Sequence, residues 1–495
     1  MRLLISWLFL ATTSIAAWAQ TNVPPNVRQL SLQDCIEMAL QHNLDLQIER
    51  YVPKIALYNL RGAYGGYDPT FSLSGQHDHY ESGSRFSNGL TIPGSVTDDD
   101  SFNSSLSGLS PIGTTYSLQG NAVDTYGTSA GSVVNRSSGS ASVNVTQPLL
   151  KNFWIDSTRL NIRVAKNRLK YSDLALKLRI MQTITTLEQA YYDLIYNREN
   201  VVVQQKAVEL AERLVVENRK KLEVGTLAPL DLQSAEAQAA STRAAVLRAS
   251  AELGTQERIV KQLITDNYPE WAEAVLEPTG KLSAERQLLS VQDSWSKGLA
   301  QRPDFLQAKL DVEKAGIQLK YDRNQLFPEL DVFGTFGYNG SGREFSSTLY
   351  NIQQTDLPFY TFGGKISFPL TRTTARYSYK ADKATMQQMV LTLKKLEEGI
   401  MISIDNDIGT LRANFDQVQA TRAARIYEES ALDAEQKKLE SGKSTTYTVL
   451  QVQRDLTAAR GNEIQALDAY NKSLSQLSLD EGSTLERLGV NLEVK

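Results

Sequence analysis

The chain has 495 residues, a single cysteine and a net charge of −4, with charges of both signs mixed along it. One cysteine excludes an internal disulfide, and so weak a charge offers no basic footprint for nucleic acid. Length alone suggests two to four compact domains, an expectation that the helix lengths below override.

Arg2, the apolar run from Leu3 to Ala16 and the triplet Ala17-Trp18-Ala19 read as a secretory signal peptide over 1–19, cut before Gln20. No later run of about 18 apolar residues occurs, so no helix is expected to cross a bilayer. Residues 20–66 hold a lead helix from Leu30 to Ala63. Ser31 with Asp34 is a capping pair, Leu32, Ile36, Ala39 and Leu40 form one face, and Pro53 marks a kink or turn. Cys35, beside Ile36 and Met38, reads as a buried residue of that face rather than a lipid anchor.

Residues 67–148 change period. Phe71 and Leu73 alternate with Thr70, Ser72 and Ser74; Ala141, Val143 and Val145 alternate with Ser142, Asn144 and Thr146 before Pro148. A period of two means strands with one apolar face. Between them Phe102, Leu106 and Gly108 alternate, Ser110-Pro111-Ile112-Gly113 makes a tight turn, and Tyr116, Leu118, Gly120 and Ala122 alternate again. The stretches around Gly83–Asp100 and Tyr126–Ser138, rich in Gly, Ser and Asp, read as long loops. Long loops on one side and a tight turn on the other is the pattern of an outer-membrane barrel. The open alternatives are a small soluble sheet capping a helical rod, and a hairpin around Ser110–Gly113 that packs inside or outside a barrel.

Residues 149–264 hold a long helix and its return. No Pro or Gly falls between Phe153 and Val224, and Ile180, Leu187, Leu194, Val201, Val208, Val215 and Leu222 recur every seven residues. That repeat forces a left-handed supercoil against partner helices, and the helix is on the order of 100 Å long. Gly225 stops it and Pro229 starts the return helix. Residues 265–289, with Pro269, Trp271, Pro278 and Gly280, read as an irregular belt.

The second half repeats the first. A lead helix is expected over 290–327, strands over 328–369, a helical hairpin over 370–479 and a belt-like tail over 480–495. Adding 217 to the numbering turns Leu187 into Ile404, Leu194 into Leu411, Val201 into Val418, Val215 into Leu432, Leu222 into Leu439 and Gly225 into Gly442. Ile180 becomes Glu397, Val208 becomes Arg425 and Val246 becomes Glu463, which are the departures. Each half is therefore helix, strands, long helix and shorter return helix, a mostly α fold with β. The return helices are short enough for successive short helices to stack end to end beside each long one.

This arrangement resembles the TolC family of outer-membrane efflux proteins. The most specific residues are the two hairpin tips, Val224-Gly225-Thr226-Leu227-Ala228-Pro229-Leu230-Asp231-Leu232 and Ser441-Gly442-Lys443 through Val449, with the strand–proline–helix junctions at Pro148 and Pro369. The resemblance implies a TolC-like α-barrel of coiled helices below a trimeric transmembrane β-barrel in outer-membrane lipid, with four strands per protomer and six as the alternative. It further implies a homotrimer whose tips, Gly225, Thr226, Leu227, Asp231, Gly442, Lys443 and Ser444, engage a periplasmic adaptor that serves an inner-membrane pump. The family's acidic ring at the narrow end would fall on Thr448 and Gln451, which are not acidic here. Asp231, the first-half counterpart of Thr448, and Asp455, one turn beyond Gln451, are the remaining candidates for the constriction. Both also read as carboxylates near a helix N-terminus.

The implied function is a passive exit duct for efflux or type I secretion; the alternative is a structural or adhesive coiled-coil protein of the envelope. No enzyme, cofactor or nucleic-acid partner is expected. His77 and His79 share a strand face without a third ligand at metal-site spacing, and no phosphate-binding or nucleophile motif occurs.

Overall fold

A computed structural model describes residues 27–490. The expected signal peptide lies outside them. The chain begins with β1 (Val27–Leu30), α1 (Leu32–His42), α2 (Leu44–Glu49) and α3 (Tyr51–Ala63). Ser31 and Asp34 form a reciprocal capping box. Pro53 sits in the first turn of α3, where its missing N–H breaks no helical bond.

The β-region follows: β2 (Thr70–Ser82), the small hairpin β3 (Arg85–Ser87) and β4 (Leu90–Ile92), then β5 (Ser95–Leu109), β6 (Thr115–Ser129) and β7 (Ser132–Pro148). The stretch Tyr126–Ser138 is not a long loop. β6 and β7 run through it and are joined by Ala130 and Gly131 alone, both at positive φ. Likewise only the β3–β4 hairpin and its short links separate β2 from β5 in Gly83–Asp100. Ser and Gly there mark strand faces in contact with water, not absence of structure.

The long helix α4 (Ser157–Glu223) and its return α5 (Pro229–Ile264) lead to α6 (Tyr268–Trp271) and β8 (Val275–Pro278). The second half is α7 (Val291–Gln301), α8 (Pro303–Gln325), β9 (Glu329–Gly342), α9 (Phe345–Gln354), β10 (Pro358–Ser367), α10 (Thr373–Glu440), α11 (Thr446–Asp480) and α12 (Thr484–Arg487). The lead helices of both halves break at one extended residue, Asn43 (φ −64°, ψ 118°) and Arg302 (φ −66°, ψ 118°).

α4 and α10, with 67 and 68 residues, are each roughly 100 Å long. The short helices do stack end to end beside them. The Asn43 amide donates to the Leu263 carbonyl at 3.0 Å, joining α2 to the end of α5, and Arg302 reaches Asp480 at 3.2 Å, joining α8 to the end of α11. Two apolar cores lie at these joints, one around Ile36, Ile184, Leu187 and Ile264, the other around Ile404, Ile408, Leu411 and Leu477.

The seven-residue seam holds unequally. Ile404, Leu411, Val418 and Leu432 are buried throughout α10. In α4, Ile180, Leu187 and Leu194 are buried, but from Val201 onward the spaced positions are half-buried, and Val203, Ala207, Ala211, Leu214 and Asn218 take the core. A straight helix drifts about 20° per heptad relative to a strict repeat, and here the contact face follows that drift.

The belt is more ordered than its composition suggests. β8 pairs in parallel with β1, matching Val27 to Val275 and Leu30 to Pro278. Tyr191 of α4 locks the pair: its hydroxyl donates to the Leu30 carbonyl at 3.0 Å and accepts the Gly280 N–H at 3.1 Å. Cys35 is fully buried, as its position beside Ile36 indicates, and burial pushes its thiol up to about 12.

Candidate functional site: a two-faced sheet and paired helical tips

Six strands form one antiparallel sheet in the order β10-β9-β7-β6-β5-β2. Register fixes which residues share a face, because directly paired residues point the same way. Phe71 pairs with Leu106, Leu106 with Leu118, Leu118 with Val143, Val143 with Phe336 and Phe336 with Tyr360. One row across all six strands is therefore apolar. Rows on either side add Leu73, Phe102, Tyr116, Val145, Leu330, Tyr338, Phe362 and Ile366 to the same face.

The other face is Ser72, Ser105, Gln119, Ser142, Gly337 and Phe359 in one row, with Ser74, Asn103, Asn121 and Ser140 in the next. Hydroxyls and amides there bond across strands: Ser72 to Ser105 at 2.8 Å, Asn144 to Ser117 at 3.2 Å, Thr335 to Asn144 at 2.6 Å. From Leu330 to Gly340 the apolar face extends ten residues, about 34 Å along the strand, or roughly 25 Å along the normal at a tilt near 40°. That is the height of a hydrocarbon layer. At its upper end α9 folds back over Gly340, where a side chain would meet Thr348 and Ile352, and Phe345 meets Phe102 edge-on at 5.4 Å. Beyond the band the face turns polar. His77 and His79 do share it, 2.8 Å from Asp100 and 2.6 Å from Asp98 respectively.

At the opposite end of the molecule are the two hairpin tips, built alike. Gly225 (φ +74°) donates to Leu222 at 2.9 Å while Thr226 donates to Lys221 at 2.9 Å. Gly442 (φ +72°) donates to Leu439 at 3.2 Å while Lys443 donates to Lys438 at 2.8 Å. Both are Schellman caps, with glycine in the left-handed region that other residues enter at a cost. Ser444 bonds to Glu435, and Leu227 lies just before α5.

The candidate constriction residues divide. Thr448, Gln451 and Asp455 follow the three-then-four spacing of a single face of α11. Gln451 and Asp455 are exposed, while the Thr448 hydroxyl is engaged 2.9 Å from that of Thr445, the α11 N-cap. Asp231 stands apart on the other hairpin, in the first turn of α5. Leu230 and Tyr447 fall within the two tip motifs but not among the residues expected to engage an adaptor. They are equivalent under the 217-residue shift, lie one turn past each tip, and are 71% and 67% exposed. Neither belongs to a heptad seam, and that was the available signal.

Above the tips, the lead helices differ in what covers them. α8 is wedged between α4 and α10, but its counterpart α3 rests along α4. The uncovered side of α2 and α3 carries Leu44, Ile48, Tyr51, Ile55 and Tyr58, spaced four, three, four and three, all more than half exposed. α10 in turn exposes Tyr377, Leu391 and Ile402.

Several known proteins are similar to this chain. A family model described as outer membrane efflux protein matches residues 295–479. The chain is 25% identical to the outer membrane efflux protein BepC of Brucella suis over 362 residues, covering 72% of this chain and 75% of BepC. It is 24% identical to the outer membrane protein TolC of Vibrio cholerae over 367 residues, covering 72% and 80%. Its fold superposes on the outer membrane protein VceC of Vibrio cholerae with a TM-score of 0.67 at 18% identity, covering 91% of this chain and 96% of VceC.

Proposed function

We propose that this chain, which belongs to the TolC family of outer-membrane efflux proteins and resides in the outer membrane, is the passive exit duct of a tripartite efflux or type I secretion system and works as a homotrimer. The observation that carries the trimer is the half-covered lead helix. Where α8 has α4 on one side and α10 on the other, α3 has α4 and a bare heptad stripe. By the internal repeat, its missing neighbour is the exposed face of α10 from a second copy. Adding copies in this way alternates the two halves around a ring until it closes, and three copies give a ring of long helices around an aqueous bore.

The tips then face the periplasm, below a barrel set in the membrane. Leu230 and Tyr447 present apolar side chains to water beside rigid glycine caps, which suits the hairpin tips of a periplasmic adaptor. An inner-membrane pump bound to that adaptor supplies the energy, and the duct itself needs no cofactor. Leu230→Asp with Tyr447→Asp tests the reading, because both residues are exposed and their replacement leaves the cores alone. Export should fall at least tenfold while the detergent-extracted trimer persists. Undiminished export would refute docking at the tips; a monomeric extract of the unaltered protein would refute the duct.

A further inference from the structure

We propose that the β5–β6 hairpin belongs to the barrel wall, so that three copies close a barrel of eighteen strands, sealed where β2 of one copy pairs with β10 of the next. The inference rests on the trimer proposed above and concerns what that trimer encloses.

The hairpin has the two-faced character of a wall. Phe102, Leu106, Tyr116, Leu118 and Ala122 continue the apolar face; Ser105, Asn103, Ser117, Gln119 and Asn121 continue the polar one. A hairpin lying against the outside or filling the inside would turn one of these faces the wrong way. β5 and β6 also stand in mid-sheet, between β2 and β7, with 13 pairs to β2 and 15 to β7. Their tight turn is held at the helical junction. Gly113 leaves no room for a side chain against Arg159 of α4, and Thr114 bonds to Gln147.

The sheet ends in two open edges, β2 and β10. In lipid neither edge can stay unpaired. β2 follows α3 and runs away from the helices, whereas β10 runs back toward α10, so an edge of one copy meets an edge of the next in antiparallel sense. Their lengths, 13 and 10 residues, are comparable. Within the apolar band the most exposed aromatic and aliphatic side chains also lie there: Phe71 and Leu73 on β2, Tyr360 and Phe362 on β10. Barrel diameter grows about linearly with strand number, so eighteen strands make a bore about 1.5-fold wider than twelve and comparable to a porin before its loops fold in. The neutral Ser, Asn and Gln lining would give such a mouth little charge selectivity.

Cysteine pairs in the full-length protein, oxidised in native outer membranes and resolved on non-reducing gels, test this. Ser72→Cys with Ser105→Cys should form an intrachain disulfide in most of the protein. Leu73→Cys combined in turn with Tyr360→Cys, Phe362→Cys or Gly364→Cys should give interchain products up to a covalent trimer at one or more positions. Cys35 is too buried to interfere. The control pair Phe71→Cys with Val143→Cys should stay reduced, because two strands separate them. If that pair closes while Ser72→Cys with Ser105→Cys does not, the hairpin lies outside the wall and the trimer closes with twelve strands: the inference fails and the duct survives. If Leu73→Cys links only to β10 of its own chain, both fail. An intact trimer with no interchain product at any of the three positions also overturns the eighteen-stranded seam.

Discussion

Arg425 and Glu463, two departures from the internal repeat, are bonded to each other. Arg425 Nε donates to one Glu463 oxygen, and Arg422 holds the other at 3.2 Å. The equivalent positions in the first half are Val208 and Val246. Where the first half carries two valines, the second half carries an ion pair, with Glu429 and Arg460 completing the cluster.

Removing one partner should therefore cost more than removing both. Arg425→Val or Glu463→Val alone leaves the surviving partner with only part of its pairing, Glu463 with Arg422 or Arg425 with Glu429, and should destabilise the protein by about 1–2 kcal/mol, below the range for fully buried pairs because both arginines are partly exposed. The double change to Val, which restores the first-half chemistry, should cost about 1 kcal/mol or less. Thermal unfolding of the three variants in detergent measures the coupling.

Glu188 on α4 is fully buried and takes two bonds from Arg487 on α12, at 2.7 and 2.6 Å. Burial pushes its carboxyl above the usual range, and Arg487 opposes that. Arg487→Ala should cost about 3 kcal/mol and loosen the C-terminal segment, seen as faster protease trimming near α12. Adding Glu188→Gln should recover part of the loss, since a neutral amide tolerates burial better than a lone carboxylate.

At the second joint, burial and the neighbouring Asp480 push Asp407 up to about 7. Asp480 itself is held by Arg302 at 3.2 Å and Ser403 at 2.7 Å. The folded state binds this proton more tightly than the unfolded chain does. Its stabilising contribution is complete below about pH 4 and disappears as pH rises through about 7. Melting temperatures measured between pH 5 and 8 should fall across that window in the unaltered protein and flatten in Asp407→Asn.

Asn218 lies buried near the first tip, and neither side-chain amide atom has a hydrogen-bond partner among the described residues. Asn218→Leu should stabilise the protein by about 1–2 kcal/mol, the size of an unsatisfied buried amide. Chemical denaturation of the purified trimer would reveal it as a shifted midpoint with unchanged slope.

The caps predict a different outcome. Gly225→Pro or Gly442→Pro demands a φ near −65° where the chain takes +74° or +72° and removes an N–H that bonds to the preceding helix. Export should be lost with the trimer still in the membrane. Alanine at either site should cost about 1 kcal/mol and spare most activity; export assays alongside membrane extraction separate the two substitutions.

What could be read from the sequence was whatever depends on local periodicity or on one backbone constraint. The strand faces follow from alternation at Phe71, Leu73, Val143 and Val145, and the tips follow from Gly225 and Gly442. The end-to-end stacking of short helices followed from their lengths. What stayed hidden needs long-range pairing or low contrast. β1 and β8 have four residues each and meet across more than 240 positions, so neither carries a pattern of its own. The β6–β7 ribbon looked like loop because its water-facing residues are the Ser and Gly of turns. The strict heptad overstated the α4 seam beyond Leu194, since a straight helix changes which side chains face inward. Within one chain the hairpin around Ser110–Gly113 pairs with the other strands in one six-stranded sheet.

Tyr191 has a bearing on the order of assembly. Its hydroxyl needs Leu30 from the beginning of the described chain and Gly280 from beyond the midpoint, and β1 has no partner until β8 arrives. The first half therefore cannot complete its core before the belt that follows it is in place. A polypeptide emerging N-terminus first must keep the stretch Val27–Leu30 unpaired until more than half of it has been delivered, which makes that stretch a target for periplasmic chaperones.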